Sequence, residues 1–104
     1  MWSGKDVWQL RRAEEVVGEI VIEESDFPWL SGRFVAAEGF VEVKSLFDRE
    51  LVLLEAEDLE EWDAVVGEIC ERLQLVGPAG PVAEFLLHID GERAWFRWSD
   101  EPFE

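Results

Sequence analysis

Cysteine, histidine and basic side chains are scarce in this sequence, and tyrosine is absent. The single cysteine, Cys70, excludes an internal disulfide and a multi-cysteine zinc site. Lys and Arg number 9 against 25 Asp and Glu, a formal charge of −16. A surface of that sign repels nucleic-acid phosphates and anionic membranes, so neither is expected as a direct partner. No apolar run approaches the roughly 20 residues of a membrane span, and none precedes a cleavage pattern. A reducing cytoplasm is therefore the expected location.

What is abundant predicts a folded domain. The apolar fraction is 48%, with 6 Trp and 7 Phe, too hydrophobic for a disordered acidic tail. A length of 104 residues fits one domain, 1–104. Asp58 to Leu73 is the clearest periodic segment: Trp62, Val66, Ile69 and Leu73 recur at helical spacing, with Val65 and Cys70 beside them. Asp58 is placed to cap the first amides, Glu61 stands at the capping-box position, and Gly77-Pro78 closes the segment. Phe40 to Glu55 predicts another helix, with Phe40, Val43, Phe47, Leu51 and Leu54 on one stripe. The short Ala56-Glu57 joint favours antiparallel neighbours.

Strands are expected at both ends. Val7–Arg12 and Val16–Glu23 alternate around an Arg12-Ala13-Glu14-Glu15 turn, with Val16, Ile20 and Ile22 sharing a face. Val82 to Trp98 predicts a second hairpin, turning at Asp90-Gly91. That turn sets Leu86 opposite Trp95, His88 opposite Arg93 and Glu84 opposite Arg97, with Phe85 and Phe96 paired on the other face. The pentapeptide VVGEI occurs at 16–20 and 65–69; its flanks predict strand for the first copy and helix for the second. Glu24 to Gly39 reads as a long aromatic connection over the core, with a turn at Ser31-Gly32. Residues 77–81, GPAGP, read as a stiff link. The expected fold is α+β in ββααββ order, an antiparallel sheet of about four strands with two helices packed on one face.

The carboxylates around Asp58 form a helix start before they form a catalytic or calcium site, lacking the ordered spacing of a calcium-binding loop. Cys70 lies on the apolar side of its helix and is expected to be a buried thiol, on the opposite side from His88. No serine occupies a nucleophile elbow, and GPAGP lacks the lysine of a phosphate loop. No catalytic, cofactor or metal residue is assigned. The informative residues are the aromatics and scarce arginines of the second hairpin and the connection. Trp29, Arg33, Leu86, Trp95 and Arg97 are candidate protein-binding residues, since Trp and Arg anchor interfaces. Leu86 and Trp95 would form an apolar anchor with a charged rim, unless Phe27, Trp29 or Phe34 covers it.

The segments DFPWLSGRF, SLFDREL, PVAEFLLHIDG and AWFRW resemble those of small acidic proteins of high-GC Gram-positive bacteria. The resemblance spans about Trp8 to Trp98. It implies a bacterial cytoplasmic setting, and brings no activity, ligand or site. The leading expectation is a non-catalytic protein-binding or regulatory module that meets a protein partner or forms a homodimer. The alternatives are an acidic nucleic-acid mimic that binds a basic protein, and a small enzyme of unassigned reaction drawing on Arg33, Arg97, His88 and a carboxylate.

Overall fold

The computed structural model describes residues 6–26 and 28–99. In chain order the elements are β1 (Val7–Arg12), β2 (Glu15–Asp26), β3 (Trp29–Ala36), a 3-10 turn (Glu38–Glu42), α1 (Lys44–Glu55), α2 (Leu59–Arg72), β4 (Gln74–Gly77), β5 (Gly80–Pro81), β6 (Glu84–Asp90) and β7 (Arg93–Ser99). All the strands join one antiparallel sheet of order β5-β4-β1-β2-β3-β7-β6. The sheet has seven strands and curls into a half-barrel, which overturns the four-stranded ββααββ arrangement while keeping the α+β class. Among the described residues no helix is long and apolar enough to cross a membrane.

Three strands replace segments expected to be irregular. The aromatic connection is the end of β2 plus β3, folded back so that Asp26 pairs with Trp29 on either side of Pro28. Gly32 marks a close approach, not a turn: a Cβ there would collide with the backbone carbonyl of Val21 on the neighbouring strand. The Gly-Pro link is likewise a small hairpin, β4 and β5, with Gly77 paired to Gly80.

Alternation along the strands fills the half-barrel. Trp8, Leu10, Ile20, Phe34, Leu75, Leu87 and Phe96 join the buried core, closed by Phe40, Phe47, Val65 and Ile69 from the helical segment. A bulge beside Leu10 lets Val17 and Ile20 both be buried, where strict alternation had put Val16 with Ile20. Of the strands, the helices contact chiefly β6, the edge of the sheet, and the Cys70 thiol donates to the Phe85 carbonyl at 3.2 Å. Capping that edge removes a row of exposed strand groups, so the helices do more than cover one face.

The helix at 58–73 forms as its pattern predicts, with the Asp58 side chain accepting from the Glu61 amide at 3.4 Å. The first helical segment splits at Val43 into the 3-10 turn and α1. Its stripe also turns: Phe47 and Glu50 are buried, whereas Val52 is 66% and Leu54 37% exposed.

Candidate functional site

The second hairpin turns at Gly91-Glu92, one residue later than Asp90-Gly91. Gly91 takes φ 63° at the first central position and Glu92 has no positive φ, the order of a type II′ turn. The partner strand therefore slips by two residues, which preserves the faces and changes every pair. His88 stands opposite Trp95, Leu86 opposite Arg97, Leu87 opposite Phe96 and Glu84 opposite Ser99. The expected Leu86–Trp95, His88–Arg93, Glu84–Arg97 and Phe85–Phe96 pairs are not formed.

On the other side of β7, Arg33 of β3 pairs with Arg93 and Ser31 with Trp95. Trp29 and Arg97 stand one position beyond the Leu30–Phe96 pair. With two-residue alternation this register carries Trp29, Arg33, Leu86, Trp95 and Arg97 to one face of β3, β7 and β6. The five candidates come from three strands and share one surface.

Two hollows flank that face. One, of about 750 Å³, is lined by Trp8, Ile22, Trp29, Leu30 and Trp98. The other, of about 640 Å³, lies between α2 and β6 and is lined by Trp62, Val66, Gly67 and Leu86. Arg97 lines both, so a cationic side chain stands between a largely apolar recess and a mixed one that also carries Asp63, Glu71 and Glu84. At the opposite end of the face the Arg33–Arg93 pair sets two positive charges across from each other, an unfavourable cross-strand arrangement. Glu23, the extra residue of a bulge in β2, meets Arg93 at 2.9 Å. Arg33 has neither a hydrogen bond nor an ion pair among the described residues, although the chain carries 25 acids.

A polar network reaches this face through His88. Glu50 of α1 is fully buried. Its carboxylate accepts from Trp62 Nε1 at 2.6 Å, and both its oxygens lie 2.9 Å from His88 Nδ1. Trp62 can only donate, so the carboxylate is held as an acceptor on that side; with Nδ1–H donating to it, a neutral His88 ring keeps its lone pair on Nε2. The His88 ring stacks with Trp29 at 5.9 Å and packs against Trp95 at 5.2 Å. Histidine thus shares the candidate face and packs between its two tryptophans. Glu50 was not singled out from sequence, yet it follows Val43 by seven residues and Phe47 by three, on the inward stripe. A carboxylate at that spacing is the available signal.

Trp95 is half-buried and covered in part by His88, not by Phe34, whose ring packs on Phe40 in the interior. Phe27 lies outside the described residues. Burial pushes the Cys70 thiol above its ordinary range, with the nearby Glu84 charge adding to the effect and its bond to Phe85 opposing it. Neither flanking hollow is lined by Glu50 or His88. Among the described residues no group of three His, Cys, Asp or Glu is arranged to hold a metal ion. No family model, curated protein or solved structure matches this chain.

Proposed function

We propose that this chain is a non-catalytic protein-binding module of the cytoplasm whose contact surface is the β3–β7–β6 face. One observation carries the reading: the register gathers Trp29, Arg33, Leu86, Trp95 and Arg97 on one face, with Arg97 lining both the apolar recess beside Trp29 and the mixed one beside Leu86. Tryptophan and arginine are the residue types that dominate interface energetics. The partner surface that fits supplies an apolar side chain for a recess and a carboxylate for Arg33. Nucleic-acid mimicry draws on net charge alone, and the enzyme reading on Arg33, Arg97, His88 and a carboxylate, of which His88 and the Glu50 carboxylate are in direct contact.

A photo-crosslinking residue in place of Ser31 or Val35, on the same strand face, tests the reading in native cells, with exposed Glu60 on α2 as the control position. Discrete adducts from the face positions and none from the control are expected. No adduct from either face position, or the same adducts from all three, would sink it. Arg33→Ala and Arg97→Ala should then deplete the adduct without unfolding the chain, because both side chains are exposed.

A further inference from the structure

We infer that the occupant of the Arg33 end of this face is a second copy of the chain, related by a two-fold axis. The inference rests on the reading of that face as an interface and names its partner. Beside the face lies a third hollow, of about 560 Å³. Leu51, Val52 and Ala56 form its apolar lining, and Asp48, Glu55 and Asp90 its acidic one. Val52 is 66% exposed although it is a large aliphatic side chain on a well-formed helix. Lys44 neutralises Asp48 at 2.7 Å, whereas Glu55 has no ion pair among the described residues.

The two surfaces are complementary. Among the described residues, one end of the face presents Arg33 without a partner, opposed by Arg93, beside Trp95. The hollow presents Glu55, likewise without one, around an exposed Val52. They also adjoin: Asp90 lines the hollow and is the direct cross-strand neighbour of Arg93. Adjacent patches of opposite sign are what a closed two-fold dimer requires, because each copy then offers its arginines to the other's carboxylates and receives the same in return. A carboxylate from the second copy also relieves the Arg33–Arg93 opposition, which Glu23 answers only on the Arg93 side. Two chains of charge −16 repel at a distance. At about 0.15 M salt the screening length is about 8 Å, so that repulsion fades while close arginine–carboxylate contacts persist.

Charge exchange tests this in the intact chain. Arg33→Glu and Glu55→Lys alter exposed side chains outside the core, and circular dichroism checks that each variant folds. Sedimentation across concentration at about 0.15 M salt should show a dimer for the wild type. Each variant alone should dissociate about 10-fold or more readily, because like charges then meet twice. An equimolar mixture of the two variants should recover the dimer. At one contact the carboxylate introduced at position 33 meets the ammonium introduced at position 55, and at the other the native pair forms. A strictly monomeric wild type, variants that stay dimeric, or a mixture that fails to recover would each overturn the two-fold dimer. Face-specific crosslinks to a protein of different mass would in those cases leave the protein-binding reading standing, and absent crosslinks would remove both.

Discussion

Replacing Glu50 by leucine removes the acceptor of a buried network and leaves its donors in place. Trp62 Nε1 and His88 Nδ1 both address the Glu50 carboxylate, and Glu50 is fully enclosed. A buried donor left without an acceptor costs about 1–3 kcal/mol. Trp62 is partly exposed and its N–H can turn to water, which places it at the lower end. His88 is 4% exposed and sits near the upper end. The expected loss is about 3 kcal/mol, a large share of the roughly 5–15 kcal/mol by which small domains are stable. Glu50→Gln keeps a carbonyl acceptor for Trp62 and should cost less. The Glu50→Leu/His88→Leu pair should cost about 1–3 kcal/mol less than the two single changes summed, because removing both partners leaves fewer groups unpaired. Urea unfolding followed by circular dichroism measures each value. The Trp62 indole N–H resonance should also move upfield in Glu50→Leu as its short hydrogen bond is lost. A loss below about 0.5 kcal/mol, the range of ordinary surface substitutions, would refute the network.

Three further outcomes are expected. Trp95→Ala should destabilise the monomer by about 2–3 kcal/mol, less than a fully buried tryptophan because the ring is only half-covered, and should also weaken association in sedimentation; lost stability with unchanged association would return Trp95 to a purely structural role. Gly67→Ala should raise stability by about 0.5–1 kcal/mol in thermal unfolding, since a Cβ there meets nothing within 4 Å on a helix that glycine weakens; a decrease would show the groove beside α2 to be closed. Cys70 should react slowly with iodoacetamide at neutral pH. Its folded value is raised, so as pH climbs past the ordinary thiol range the unfolded chain releases its proton first and stability falls, an effect that Cys70→Ala should remove; a rapid reaction in the folded state would show that its partial burial does not protect the thiol.

Local signals were legible in the sequence and non-local ones were not. The helix at 59–72 announces itself because its periodicity and its Asp58 cap are both local. The VVGEI copies separate into strand and helix for the same reason: each follows its flanks. β3 was hidden by its own punctuation. Pro28 and Gly32 read as loop residues, whereas Gly32 is there because the β2 backbone leaves no room for a side chain. The hairpin slip arose from a two-residue ambiguity, as a glycine suits the second central position of one tight turn and the first of another. That slip left Leu86, Trp95 and Arg97 together on one face with different cross-strand neighbours, whereas β3, unread from sequence, brings Trp29 and Arg33 to it. Closing the half-barrel depends on β4 reaching β1 and β7 reaching β3, pairings across 60 or more residues that no local pattern encodes.

The buried network and the exposed face are one construction. Trp29 and Trp95 are both candidate anchors, and both rest on the ring of His88. That ring is oriented by Glu50, which is tied in turn to Trp62 on the second helix. An apolar residue at position 50 would fill the same stripe without fixing the imidazole. The carboxylate satisfies both donors and holds a geometry, and in the proposed interface aromatic anchors that are already held lose less conformational entropy on binding. The helical hairpin meets β6 at two points: Cys70 bonds the Phe85 carbonyl, and Glu50 bonds His88, on which both tryptophans pack. Trp62→Phe preserves most of the apolar contact and removes only the N–H. It should therefore leave the fold intact while broadening the Trp29 and Trp95 indole resonances, and unchanged linewidths would mean that the tryptophans are held by packing alone.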